Sequence, residues 1–165
     1  MINQPNTKPR NSGERSWFHA PATLDAAVID PMPTIVLAED NDILRETVAL
    51  VLTKRGCLVR CAADGDQAWK LLCEAPFALL ITDNDMPGLS GLELLRKMRA
   101  ASLVQPAILM SGNMPRDVSD LRELLSPGTA VEKPFGMDEL ITAISALVVS
   151  QSKTGRVTPH FASER

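Results

Sequence analysis

The chain has 165 residues, 45% of them hydrophobic and 22% charged, with a formal net charge of -3; that balance fits one globular domain with modest extensions and a core of ordinary size. Residues 34–150 hold 11 Lys and Arg against 16 Asp and Glu, so the body lacks the basic stripe that nucleic-acid binding needs, and runs such as 77–81 fall far short of the ~20 apolar residues that span a bilayer. His19 and His160 both lie in the extensions, which leaves the body without an imidazole and removes Ser-His, Cys-His and most zinc chemistries.

In chain order, residues 1–33 are rich in Pro, Asn, Ser and Thr without a sustained period, and read as a disordered extension. They carry no apolar run of signal-peptide type. Trp17-Phe18 and the run 24–29 form one short patch able to dock elsewhere. Thr34–Ala38 (TIVLA) is a buried-strand run, followed by a helix over 43–54 with Leu44, Val48, Val51 and Leu52 at helical spacing. Gly56 suits the stop of that helix. Leu58–Ala62 is a second strand, and 66–73 a helix carrying Ala68, Trp69, Leu71 and Leu72. The run FALLIT, 77–82, is a third strand, with a helix after it over 91–99. A fourth strand covers 107–110, and Pro115 suits the first turn of a fourth helix reaching about Leu125. A short fifth strand over 129–132 and a final amphipathic helix over 137–149 complete the body, and 150–165 reads as a flexible polar tail. Cys57, Cys61 and Cys73 fit no zinc spacing and read as reduced core thiols of a cytoplasmic protein.

Five β-α units in strict alternation, with strands apolar on both faces, predict an α/β fold with a doubly wound parallel sheet covered by helices on both sides. Ligands of such sheets sit beyond the carboxyl ends of the strands. Those ends carry Glu39 and Asp40 after the first strand, Asp83 and Asp85 after the third, Ser111 and Gly112 after the fourth, and Lys133-Pro134-Phe135 after the fifth. Singly, each has an ordinary explanation. An acidic strand end is commonly solvated loop or helix cap, and Ser-Gly-Asn is a common turn. Together on one rim, several carboxylates would repel unless one takes a proton or a cation neutralises them. An all-oxygen set favours a hard cation, Mg²⁺ over Zn²⁺. A metal, an ammonium, a hydroxyl and a carboxylate nucleophile are the parts that phosphoryl transfer requires.

The segments AED, LLITDNDMPGLSGLELL, ILMSGN and VEKPF resemble those of the response regulator receiver domains of two-component signalling, over residues 34–149, roughly 70% of the chain. The resemblance implies a flavodoxin-like, five-stranded sheet in the order 2-1-3-4-5. It implies that Asp83 is the phosphoacceptor and that Asp40 and Asp83 hold Mg²⁺ through their carboxylates. Glu39 would act mainly through metal-bound water, and Asp85 through its backbone carbonyl. Lys133 would pair with the phosphoryl oxygens, Ser111 would move to hydrogen-bond one of them, and the amides of Asn84 and Gly112 would complete the anion pocket. The implied partners are a sensor histidine kinase or histidine phosphotransfer protein as donor and a downstream protein target, with a homodimer left open and neither nucleic acid nor membrane expected. Such a domain catalyses only its own phosphorylation and dephosphorylation.

Two positions depart from the family's pattern. Where an aromatic residue usually stands on the fifth strand, three places before the lysine, this chain has Ala130, which has no rotamer to switch. The side chain of Asp85 places an extra negative charge near the phosphoryl position, which predicts a changed phosphoryl lifetime or a greater Mg²⁺ demand. No second domain is expected after Val149. Output through a protein partner, a phosphorelay intermediate or phosphate sink, a receiver segment of a hybrid kinase, and an inert pseudo-receiver remain as alternatives, the last opposed by Asp40, Asp83, Ser111 and Lys133.

Overall fold

The computed structural model describes residues 32–114 and 118–152. Its elements alternate as β1 (Thr34–Ala38), α1 (Asp42–Lys54), β2 (Leu58–Ala62), α2 (Gly65–Glu74), β3 (Leu79–Asp83), α3 (Gly91–Ala100), β4 (Ala107–Ser111), α4 (Leu121–Leu125), β5 (Gly128–Glu132) and α5 (Met137–Ser152). The five strands form one sheet, every pairing parallel as the alternation of elements predicts, in the order β2-β1-β3-β4-β5 that the resemblance implies. No helix among the described residues is long and apolar enough to cross a membrane.

Strand alternation divides the core into two layers. Ile35, Leu37, Leu79, Ile81, Ile108 and Met110 point to one face and pack with Val48 and Leu52 of α1 and Leu140 and Ile144 of α5. Val36, Ala38, Leu80 and Leu109 point to the other and pack with Leu72 of α2, Leu94, Leu95 and Met98 of α3, and Leu124 and Leu125 of α4. Each fully buried Leu, Ile or Met contributes about 1.5–3 kcal/mol, which fixes strand register, since a slip of one residue would expose a whole face.

Local signals set the helix ends. Asn41 caps α1 by accepting from the Leu44 amide at 3.0 Å. At its far end the Gly56 amide donates to Thr53 O and the Cys57 amide to Leu52 O, with Gly56 at φ +83°; the left-handed glycine closes the helix as expected. Ser90 and Glu93 form a capping box at the start of α3. Pro87 precedes Gly88 at φ +74° in the β3–α3 loop, the turn expected of that pair.

Three expectations change. In the FALLIT run Phe77 is buried and Ala78 half-buried, but the ladder begins only at Leu79, because Phe77 fills the core without joining the sheet. The fourth helix is shorter than expected, five residues from Leu121, and Asp120 ahead of it makes no side-chain cap; its carboxylate lies 3.5 Å from Arg96 of α3 instead. Pro115 and Arg116 lie outside the described residues, as do the Trp17-Phe18 patch, the run 24–29, both histidines and the tail from 153 on. The three thiols are free, but only Cys57 is half-buried, while Cys61, on the outermost strand, and Cys73 are exposed, so two of them are not core residues. Trp69 packs against α3, with the Lys97 ammonium 4.6 Å from its ring centroid.

Candidate phosphoacceptor site

The parallel register brings four strand ends to one rim. Asp83, last in β3, pairs with Met110 of β4. Ser111 follows Met110 and pairs with Glu132 of β5, and Lys133 follows Glu132, its amide donating to Ser111 O at 2.8 Å. On the other side of β3, β1 ends at Ala38, so Glu39 and Asp40 extend just past it.

Lys133 is the hub. Its ammonium lies 2.8 Å from Glu39 Oε2 and 2.9 Å from Asp83 Oδ2. Glu39 is 1% exposed and Asp83 5%. Asp40 is exposed, yet carboxylate oxygens of Glu39, Asp40 and Asp83 all lie within 4.8 Å of one another. Burial pushes the Glu39 carboxyl above its ordinary range, and the Asp83 charge adds to this, while the Lys133 ammonium offsets only part. For Lys133, burial works against the charged form, but the hydrogen bonds and charges of Glu39 and Asp83 outweigh it and raise its pKa. Three carboxylates thus cluster where one ammonium is paired with two of them.

Asp83 Oδ1 is buried and accepts no hydrogen bond among the described residues. A buried, ionisable oxygen without a partner is costly, and a hard cation held by oxygen donors alone satisfies it. The donor set of Glu39, Asp40 and Asp83 therefore fits Mg²⁺. Glu39, whose Oε1 accepts from the Asn41 amide at 3.2 Å and whose Oε2 is held by Lys133, is already tied to the protein at both oxygens.

The remaining expected residues surround this cluster. Ser111 is fully buried, and its hydroxyl donates to Asn113 O at 2.8 Å while accepting from the Asn113 amide at 3.2 Å. Gly112 is exposed, with open space where a side chain would be. Asp85 is exposed and accepts from the Asn84 side-chain amide at 3.3 Å; its carboxylate is not one of the clustered three. The Asn84 backbone amide, expected to face the phosphoryl group, instead donates to Met110 O at 2.8 Å and continues the β3–β4 ladder.

Two residues that composition and spacing did not single out shape the site. Gly91 begins α3 so close to β3 that a Cβ there would lie 2.4 Å from Asp83 O and 2.7 Å from Leu109 Cδ1. Arg45 of α1 donates to Glu39 O at 2.7 Å and Asp40 O at 3.4 Å. A detectable signal existed for the second: a cation in the first turn of a helix opposes the helix dipole, which asks for a compensating partner. Along β5 and α5 runs an open groove of about 610 Å³, lined by Thr129, Ala130, Thr142, Ala143, Ala146 and Leu147 among others.

Comparison with known proteins agrees with this geometry. Residues 35–145 match the model of the response regulator receiver domain. Response regulator protein PmrA of Pseudomonas aeruginosa is 35% identical over 130 residues, 77% of this chain and 57% of that protein. The transcriptional regulatory protein TctD of Salmonella typhimurium is 33% identical over 69% of this chain and 51% of its own length; the chain thus spans about half the length of these relatives. Among solved structures, TrrA of Thermotoga maritima, in complex with Mg²⁺-BeF, is 29% identical with a TM-score of 0.62, covering 70% of this chain and 99% of that one. By sequence, fold and the acidic rim together, the chain belongs to the response regulator receiver domain family.

Proposed function

We propose that this domain accepts a phosphoryl group from a phosphohistidine donor onto Asp83, in a Mg²⁺-dependent reaction, and signals through the conformational change that follows. The observation that carries this reading is the unpartnered Asp83 Oδ1, buried beside Lys133 and within reach of Glu39 and Asp40. A carboxylate so placed can hold a metal through one oxygen and attack phosphorus with the other. Its attack forms the O–P bond as the P–N bond of the donor breaks, the electron pair leaving with the imidazole. Bound Mg²⁺ would offset the negative charge of the entering phosphoryl group. The Thermotoga relative, described in complex with Mg²⁺-BeF, supports that assignment.

The chain's own groups do the rest. Asp40 and Asp83 would hold the metal, Glu39 would hold water on it, and Asp85 would offer its backbone carbonyl. The Lys133 ammonium, held between Glu39 and Asp83, would turn to the phosphoryl oxygens as charge gathers there. The Ser111 hydroxyl would exchange Asn113 O for a phosphoryl oxygen, and the Gly112 amide would complete the pocket. The Asn84 amide could join only by releasing Met110 O, so it belongs to the state after transfer or to none. The domain is then no enzyme acting on others, since it catalyses only its own gain and loss of phosphate. Downstream, a population shift around α4, β5 and α5 would alter the surface offered to a protein partner.

A second reading, relay intermediate or phosphate sink, is favoured by Ala130, whose small side chain lacks a rotamer to report the shift. Intact mass after acetyl phosphate, with and without Mg²⁺ and with Asp83→Asn as control, tests the main proposal. The expected result is one added phosphoryl group that needs both Mg²⁺ and Asp83, and its absence from the wild type in excess Mg²⁺ would refute it. Return of the label to a histidine phosphotransfer protein separates the second reading. Apo and beryllofluoride-bound forms that differ widely around Ala130 would count against it.

A further inference from the structure

Arg45 sits in the first turn of α1, but its side chain is only 16% exposed. Nη1 donates to the carbonyl of Glu39 at 2.7 Å and reaches that of Asp40 at 3.4 Å, and Nη2 is paired with the Asp42 carboxylate. The carbonyls it holds belong to the one stretch of chain that neither neighbouring element controls. β1 ends at Ala38, and the Glu39 amide makes the last bond to β2, at Ala62 O, 3.1 Å away. α1 begins at Asp42 under the Asn41 cap. The peptide groups of Glu39 and Asp40 thus lie in the joint between strand and helix, and their side chains supply two of the three clustered carboxylates.

The two acids differ in how they are held. Glu39 is buried and fixed through its side chain, by Lys133 and the Asn41 amide. Asp40 is exposed, and no described residue bonds its carboxylate. The direction of the Asp40 carboxylate is therefore set by its backbone, and Arg45 is the side chain that holds that backbone. A guanidinium can bond two carbonyls and a carboxylate at once from a planar, preorganised fork, which an ammonium cannot.

We propose that Arg45 is a positioning residue of the metal site: by clamping the Glu39 and Asp40 carbonyls, it aims the Asp40 carboxylate toward Asp83 and so sets the affinity for Mg²⁺. This rests on the reading of the rim as a Mg²⁺-dependent phosphoacceptor site. Groups that orient metal ligands typically contribute about 10–100-fold to metal affinity. The alternative is a plain structural role, an i,i+3 ion pair with Asp42 that steadies the helix.

The test measures the Kd for Mg²⁺ itself, by calorimetry, on the full chain. Wild type, Arg45→Gln, Arg45→Lys, Asp42→Asn and Arg55→Gln are compared, with melting in EDTA to confirm folding. Arg55 is an exposed arginine capping the far end of the same helix, and its bond runs to Val51 O. Arg45→Gln is expected to weaken Mg²⁺ binding about tenfold. Arg45→Lys should fall between it and wild type, and carries the test alone should Arg45→Gln not fold. Asp42→Asn and Arg55→Gln should bind as wild type does. Labelling of Asp83 by acetyl phosphate should then need more Mg²⁺ in Arg45→Gln but reach the wild-type level at saturation. Wild-type Mg²⁺ affinity in both Arg45 variants overturns the inference, as does equal weakening by Asp42→Asn. A wild type that binds Mg²⁺ but takes no label overturns the functional reading alone, and one that binds no Mg²⁺ overturns both.

Discussion

Replacing Lys133 with Met should destabilise the Mg²⁺-free domain in a pH-dependent way, and Mg²⁺ should recover much of the loss. The ammonium lies within 3 Å of two carboxylates, Glu39 at 2.8 Å and Asp83 at 2.9 Å, whose side chains are 1% and 7% exposed. Removing one partner of a buried ion pair typically costs about 3–5 kcal/mol. Because the Lys133 side chain is itself 24% exposed, the lower end, about 3 kcal/mol, is expected. In a domain of this size that corresponds to a melting temperature lower by roughly 10 °C. The pH dependence follows from Glu39, whose pKa is already raised by burial and by Asp83. A raised acid stabilises the fold most below its unfolded pKa, and that contribution is lost as pH rises through the folded value. Without the ammonium that pKa climbs further, so Glu39 takes up a proton sooner on acidification. The gap between variant and wild type should therefore be largest at neutral pH and narrow under mildly acidic conditions. Mg²⁺ should raise the melting temperature of the variant more than that of the wild type, because more uncompensated charge awaits it. Melting followed by circular dichroism, in EDTA and in Mg²⁺ at both pH values, decides the matter. A gap of equal size at both, or equal gains in Mg²⁺, would refute the account of Lys133 as the counter-charge of a crowded acidic cluster.

Three further outcomes are expected. Gly91→Ala should cost about 1–3 kcal/mol, as overpacking does, and slow labelling of Asp83, because its Cβ would press on Asp83 O; urea unfolding and mass labelling check this, and a variant with wild-type stability would contradict it. Arg99, whose pKa burial lowers, donates to Leu124 O, Leu103 O and Gln105 O and so ties α3 to the end of α4; Arg99→Met should cost about 3 kcal/mol and speed hydrogen exchange in residues 121–126, and unchanged exchange there would refute the tie. Burial raises the thiol pKa of the half-buried Cys57, so its alkylation by iodoacetamide should be slower at neutral pH than that of a free thiol and accelerate as pH rises; a rate matching free cysteine would refute this.

The sequence discloses the fold because its rules are local and repeated. TIVLA, FALLIT and the glycine after Arg55 each commit a short segment, and parallel pairing follows from their alternation with helices. Burial and strand membership part company at Phe77, however, since an apolar side chain can fill the core from a loop. Helix length fails at α4 for a related reason: Asp120 is drawn to Arg96 of another helix, a tertiary partner that no local pattern announces. Exposure of Cys61 follows from β2 being the outermost strand, which is a property of the sheet and not of the residue.

The candidate site divides along the same line. Glu39, Asp40, Asp83, Ser111 and Lys133 were legible because a parallel sheet carries its strand ends to one rim, whatever the details. What each group bonds to was not legible, because it turns on distances of a few tenths of an ångström. The Asn84 amide stays in the ladder, the Ser111 hydroxyl turns to Asn113, and Arg45 reaches back to the carbonyls of the acid pair. These details matter energetically because the cluster is unbalanced. One ammonium meets two of the three clustered carboxylates, a buried oxygen of Asp83 has no partner among the described residues, and burial holds the Glu39 pKa up. Such an arrangement is not the most stable use of these positions, and packing elsewhere must offset its cost. Selecting for stability alone would neutralise Glu39 or Asp83, each of which already sits in a dry environment. That both remain acidic, with Lys133 strung between them, argues that the imbalance is what the fold is built to hold.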